Sequence, residues 1–473
     1  MRSLRIMVTA ALFVGSTGLW AGCEAEDATA GKSSAEVISD GNDTLESADP
    51  MAIDSDVEGK LSRVGDLDFY SFEGKAGQVI RIDIDAEILG GVRFDNDYID
   101  TWVTLLDAQG KRLAENDDEI PLYDADSHLI TRLPGDGTYF VRVADCWDAA
   151  EDPEEQCAWP KKKSVTKYTM YLYEVDPALK SVTFDTEAGN DWTSADAIGY
   201  EISDNGYPYL SDLVGTFTDA ADVDVFSFEM PESIPIEYGK RSVGYFWVLP
   251  GGDRGTGSTA GVGRAYITDE ADPSVVLAEI HPRDDGAVEL SPPLALGKKY
   301  LLFITPPEDV GGSNDFYVVR HFAGQSNPLE KEEVPNDTVD KAELITQKDE
   351  NDSDQEIHKY IEGDLPAGES AVDHFKVKVP SKFQGVGTVS VACAAQRVGS
   401  GVRHFNISLL FLKEDGSPIN VGSTSAMETS LEDLFMQNAL IPAGAEHLVL
   451  KFETGQDPNV ASAFYRCGLH LRL

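Results

Sequence analysis

The chain has 473 residues, 42% of them hydrophobic, and a formal net charge of −45. That much apolar material supports folded cores, and the length sets an expectation of two or three domains. The charge excludes nucleic acid and anionic lipid surfaces as electrostatic partners, since Lys161-Lys162-Lys163 is the only basic run that offsets it.

At the N-terminus, Arg2 and Arg5 precede an apolar run from Ile6 to Val14 and the small-residue stretch GSTGLWAGC, the order of a secretory signal. The run is too short to span a bilayer. Ala21-Gly22-Cys23 resembles the lipobox of bacterial lipoproteins, with Trp20 where leucine is preferred. That resemblance implies a signal over residues 1–22, acylation of Cys23, membrane attachment through the lipid, and a place in the bacterial cell envelope, at the outer membrane. The alternative is an ordinary secretory signal that contains a cysteine. Residues 23–36 lack apolar periodicity and read as a flexible tether. Five cysteines is an odd count for an exported chain, and giving Cys23 to a lipid leaves four. Cys146 and Cys157 are close enough to staple one loop, and Cys393 and Cys467 lie in strand-like segments, so an oxidising compartment permits both bridges.

The rest of the chain repeats one plan three times. Each third opens with Asn-Asp: NDTLESA from Asn42, NDWTSA from Asn190, NDTVDKA from Asn336. A strand entry follows in each: GDLDFYSF, ADVDVFSF and SAVDHFKV. Each ends on a turn and a strong strand: LPGDGTYFVRV, LALGKKYLLFI and IPAGAEHLVLKF. Within the first entry Asp66, Asp68, Tyr70 and Phe72 share parity, so an extended chain puts all four on one face. Two carboxylates on a buried face need neutralising or hydrogen-bonding. Helical periodicity is nearly absent, and further strands are expected in QVIRIDIDAEI, TWVTLLD, KYTMYLYEV, AYITD, DFYVVRHF, ISLLFL and FYRCGLHLRL. The fold class is therefore all-β: three tandem, jelly-roll-like β-sandwiches over residues 37–176, 177–327 and 328–473.

Asn-Asp, the Gly-then-Asp-x-Asp-Phe-Tyr-x-Phe entry, AGQVIRIDI, LLDAQGKRLAENDD and LPGDGTYFVRV resemble the bacterial pre-peptidase C-terminal domain, a β-sandwich appended to many secreted peptidases and related to clostridial collagen-binding domains. The resemblance is strong for residues 37–176, moderate for the second copy and weak for the third. It implies a cation cluster where the opening Asn-Asp folds against the Asp-x-Asp strand, here Asn42, Asp43, Asp66 and Asp68. The second copy supplies Asn190, Asp191, Asp222 and Asp224 in the same pattern. A separate cluster is read from the residues themselves: Asp95, Asp97 and Asp100 before one strand, and Asn116, Asp117 and Asp118 after the next hairpin. Oxygen ligands on loops suit calcium. Asx-turns produce the same clusters without any metal, and no EF-hand spacing is present. The third copy keeps Asp373 but has Ala371 in place of the first aspartate, so Asp66 is the residue assigned to an optional calcium and Asp68 to the strand's own turn.

No zinc-protease helix, nucleophile elbow, phosphate loop or Cys-x-x-Cys is present. His128, His281 and His374 are expected at the surface, and the glycine-rich PGGDRGTGSTAGVGR is expected to be a long mobile loop rather than a phosphate cradle. Trp147, Trp159, Tyr207 and Tyr209 are loop aromatics that would contact a ligand or pack against the sandwich. The resulting expectation is a non-enzymatic envelope lipoprotein with calcium-stabilised modules for protein or glycan binding. The alternatives are a glycosidase-like hydrolase using two carboxylates, and an accessory subunit tethering a separate peptidase.

Overall fold

The computed structural model of the chain describes most of residues 41–473; residues 1–40, 87–98, 120–125, 158–165, 282–287, 366–371, 428–433, 455–462 and shorter stretches lie outside the described residues. Cys23, Asp95, Asp97, Trp159, Tyr207 and Tyr209 fall among the latter.

The first repeat builds β1 (Asp49–Pro50), β2 (Ser55–Leu61), β3 (Leu67–Gly74), β4 (Val79–Asp85), β5 (Thr101–Leu106), β6 (Arg112–Asn116), β7 (His128–Arg132), β8 (Gly137–Asp145) and β9 (Thr166–Glu174). The alternation seen in the sequence fixes their faces: along β4, Ile80, Ile82 and Ile84 are buried while Arg81 and Asp83 point away. One sheet runs β1-β3-β8-β5-β6 and the other β2-β9-β4-β7. Tyr70, Phe72, Ile80, Ile82, Val103, Leu129, Val141, Tyr168 and Met170 fill the space between them.

The second and third repeats use the same strand order. Their counterparts of the β3 sheet run Asp196–Ala197, Asp224–Glu229, Lys299–Thr305, Arg264–Asp269, Asp272–Ile280, and Glu343–Ile345, Val372–Lys378, His447–Thr454, Phe405–Leu412, Thr424–Met427. The facing sheets run Val182–Phe184, Ser211–Thr216, Phe316–Gln325, Ser242–Val248, Val288–Leu290, and Glu330–Lys331, Glu356–Leu365, Ala463–Arg472, Thr388–Ala394, Leu434–Leu440. Each of these facing sheets begins with a short parallel strand that has no counterpart among the described residues of the first repeat. The chain is thus an all-β series of sandwiches. Both expected disulfides are formed, Cys146 with Cys157 and Cys393 with Cys467, the second between direct partners in a strand ladder.

The sandwiches are docked on one another through polar networks set in apolar surroundings. Ile130 of the first packs into a cluster with Val214, Val243, Tyr245, Trp247 and Val318 of the second. Beside it, His128 Nδ1 lies 2.7 Å from Asp83 Oδ1 and Nε2 lies 2.9 Å from Asp212 Oδ2, while Arg320 Nε is 3.1 Å from Asp212 Oδ1. Arg320 also donates to the Glu119 carbonyl. The glycine-rich stretch expected to be mobile is docked here instead: the Gly255 carbonyl accepts from Glu115 N, and the Gly257 carbonyl accepts from Thr131 Oγ1. Gly257 has φ +121° and lies against the Ile130 backbone, leaving no room for a Cβ. Between the second and third sandwiches Glu362, fully buried, is held by Arg241 Nη1 at 2.9 Å and Arg466 Nε at 3.1 Å. Arg466 also donates to the Ser291 hydroxyl and carbonyl, and Ala394, Val398 and Phe464 of the third sandwich join the core of the second.

Burial and then the Arg320 charge oppose protonation of His128, yet Asp83 and Asp212 hold it above its ordinary value. Asp212 is buried, but Arg320 and His128 hold its carboxyl well below the usual range. A raised histidine stabilises the junction fully below its unfolded value and loses that contribution as pH rises through the folded one. The depressed carboxylate contributes above its unfolded value and is lost as pH falls through the folded one. The network is therefore strongest between about pH 4 and about pH 6.5. In scanning calorimetry of the full chain, His128→Gln is expected to cost about 3 kcal/mol in that window, with the deficit shrinking as pH rises; a deficit independent of pH would show that the imidazole is uncharged there.

Candidate metal-binding turns and buried carboxylates

The shared parity of Asp68, Tyr70 and Phe72 holds in β3, where all three are buried. Asp68 is not exposed at the turn; it sits in the core, only 2% exposed. Its Oδ2 accepts from Tyr168 Oη at 2.6 Å, across the gap between the two sheets. Tyr70 Oη lies 2.7 Å from Tyr168 Oη and acts as the donor, since the Tyr168 proton is committed to Asp68. Burial, then the neighbouring Tyr70 and Asp68, push the Tyr168 hydroxyl well above the ordinary phenol value, so it stays a donor. Tyr168 reaches Asp68 because its direct ladder partner on β2 is Gly59, over which the ring lies; a Cβ there would collide with it.

The same three residue types recur in each copy. In the third, Tyr465 Oη donates to Asp373 Oδ2 at 2.7 Å and lies over its ladder partner Gly363. In the second, Tyr317 lies over Gly215, and burial followed by the Asp224 charge raises its hydroxyl well above the ordinary value. The sequence carries a signal for this arrangement: a mid-strand glycine precedes the aspartate in each copy, Gly59, Gly215 and Gly363 before Asp68, Asp224 and Asp373. Strand-interior glycines mark close approach of another group.

The turn falls instead to the first aspartate of the pair. Asp66 Oδ2 accepts from Ser62 Oγ at 2.7 Å and from the Ser62 amide. In the second copy Asp222 Oδ2 accepts from Thr218 N at 2.7 Å and Oγ1 at 3.0 Å, and its Oδ1 accepts from Asn190 Nδ2 at 2.9 Å. Burial pulls the Asp66 carboxyl up, but the Ser62 donors, then Asp43 and Arg63, outweigh it and hold it below the ordinary range. Asp43 faces Asp66, and Arg63 Nη2 reaches both carboxylates, at 3.1 and 3.3 Å. Asn42 is buried and joins β3 through its backbone, its carbonyl accepting from Phe69 N at 2.9 Å. Asp191 is exposed and caps Thr193.

In the other cluster Asp100 and Asp118 are buried, and burial pushes the Asp117 carboxyl up to about 6 against hydrogen bonds from its own amide and that of Asp118. Asn116 Oδ1 accepts from His128 N. Among the described residues, no three of the expected carboxylate ligands bring oxygens within 4.8 Å of one another; the groups that do converge so closely are Asp100 with the disulfide sulfurs of Cys146 and Cys157, and Glu356 with His358 and His470. Among the expected residues, Asp43 and Asp66 share the Arg63 guanidinium. Asp43 Oδ1 is buried there and accepts no hydrogen bond, so the donors suit a hard cation, and the Arg63 guanidinium supplies the positive charge.

His281 is at the surface, but His128 and His374 are not. His374 is buried with Nδ1 3.0 Å from the Asn336 carbonyl, and His128 belongs to the junction network. Their strands are covered by elements far away in sequence, which local pattern does not register.

Tyr168→Phe removes one hydroxyl and leaves Asp68 buried without that donor. The expected cost is about 2–3 kcal/mol, read as a downward shift of the first calorimetric transition. Gly59→Ala is expected to cost more, because the ring must leave its place.

Residues 66–145 match the model of the family described as the bacterial pre-peptidase C-terminal domain. A probable subtilase-type serine protease of Deinococcus radiodurans is 38% identical over 113 residues, a match spanning 22% of this chain and 14% of that protein. Among solved structures, the pre-peptidase C-terminal domain of a collagenase from Bacillus anthracis aligns at 13% identity and a TM-score of 0.19, covering 26% of this chain and 93% of that domain. Tandem CBM51 modules of a family 98 glycoside hydrolase from Streptococcus pneumoniae align at 11% identity and a TM-score of 0.16, covering 58% of this chain and 88% of theirs.

Proposed function

We propose that this chain, which carries a pre-peptidase C-terminal domain at residues 66–145, is a non-enzymatic lipoprotein of the bacterial cell envelope. Acylation at Cys23 anchors it to the outer membrane, residues 23–36 form the tether, and the docked sandwiches present a surface that binds protein or glycan. The observation that supports a binding role is the use to which the recurrent aspartates are put. Asp66 and Asp222 hold turns, and Asp68 and Asp373 accept inter-sheet tyrosines, so the motif that defines the repeat serves the scaffold. Calcium is the cofactor of this reading, at the Asp43–Asp66 pair, where it would add to or replace the charge of Arg63.

The second reading is an accessory subunit that holds a separate peptidase. It is favoured by the relative of residues in this chain that occurs within a subtilase-type serine protease.

Three measurements test the proposal. Cys23→Ser is expected to release the chain from the membrane fraction, and mass spectrometry of the wild type should find the acyl chains on Cys23; a soluble wild-type product cleaved elsewhere overturns the anchor. A chelator is expected to lower the melting temperature of the wild type, and to lower that of Arg63→Ala further. No shift in either protein removes calcium from the proposal.

A further inference from the structure

The third sandwich carries a cluster that plays no part in the anchor or in the Asp-x-Asp turns. Glu356 and His358 lie on one strand, Glu356–Leu365, and His470 on its antiparallel neighbour, Ala463–Arg472. His358 and His470 are direct ladder partners, with rings stacked at 4.3 Å between centroids and 16° between planes. Glu356 is two residues from His358, so the pleat puts it on the same face, diagonal to His470. The ligand atoms of all three lie within 4.8 Å of one another. His470 Nε2 is a buried atom that makes no hydrogen bond, and Glu356 Oε1 stands off it by 3.8 Å.

We propose that Glu356, His358 and His470 form a binding site for a borderline divalent transition metal, zinc in the first instance, on the outer face of the third sandwich. Two donor atoms on a tetrahedral zinc, each about 2.1 Å from the ion, are about 3.4 Å apart. The 3.8 Å between His470 Nε2 and Glu356 Oε1 is too long for a hydrogen bond and close to that separation. Two imidazoles and one carboxylate select zinc, nickel or copper over calcium, which takes oxygen donors. Three protein ligands leave a coordination position open to water or to a donor from a partner.

Arg472 opposes the site. Its Nε is 3.4 Å from Glu356 Oε1, on a side chain that is 66% exposed. The guanidinium has solvent to move into, and its removal should favour the metal. This sets the site apart from a stacked histidine pair with a surface ion pair, in which Arg472 would be the partner that matters.

The test is calorimetric titration of zinc into the full exported chain, stripped with chelator and free of any affinity tag. The expected result is binding that falls roughly tenfold or more in His358→Asn and in Glu356→Gln, and that is unchanged or tighter in Arg472→Ala. Cobalt(II) should give the visible bands of a four-coordinate nitrogen-ligated site, lost in His470→Asn. Calorimetric melting of each metal-free variant separates loss of ligand from loss of fold. Absence of zinc binding by the wild type, or undiminished affinity in the folded His358→Asn and His470→Asn proteins, overturns the proposal. Neither result bears on the anchor or on calcium.

Discussion

A buried carboxylate has to be answered from across the sandwich, and this constraint organises the repeat. Asp68 and Asp373 enter the core on the second strand of one sheet, and a tyrosine on an interior strand of the other sheet donates to each. The tyrosine reaches that far because a glycine opposite it leaves its ring a place to lie. Three residues from three strands, the tyrosine about a hundred positions from the other two, tie the sheets where apolar contact alone would set no register. A charged acceptor in a water-poor gap makes the bond worth more than a neutral one, and makes its loss costly. The wrong register would bury the charge without its donor, so the same device selects against misalignment.

The junctions repeat that logic between sandwiches. Asp212 is answered by His128 and Arg320, and Glu362 by Arg241 and Arg466. In each case an acid of the facing sheet takes cations from both sides of the junction. Apolar residues surround the ionic groups, Ile130 on one junction and Val398 and Phe464 on the other. A chain with so large a negative charge places some of its few cations where they hold acids buried between domains.

Much of the scaffold was legible in the sequence because it depends on local pattern. Parity in β3, the threefold landmarks and the cysteine count point to the sandwiches and to both disulfides. What escaped depends on contacts between distant segments. Sequence pattern makes Asp68 the turn residue and Asp66 the optional ligand, whereas Asp66 holds the turn and Asp68 enters the core. The distinction rests on Tyr168, a hundred residues on. His128 and His374 looked like surface residues for the same reason, and the glycine-rich stretch looked mobile because its partners, Glu115, Ile130 and Thr131, belong to another sandwich. Of the expected cation ligands, Asp43 meets Asp66 and Asn190 meets Asp222, while the histidine cluster of the third sandwich, split between strands a hundred residues apart, leaves no local trace.

The short parallel strands Val182–Phe184 and Glu330–Lys331 lie in what would otherwise be the links between sandwiches. Each is hydrogen-bonded into the sheet that follows it, next to the strand bearing the glycine. Part of each connector is therefore held as a sheet edge. Units of this kind cannot be cut out and rearranged like beads on a string. A transplanted copy needs its leading strand, and it needs a neighbour whose face offers the matching charges, so the order of the sandwiches is part of the fold.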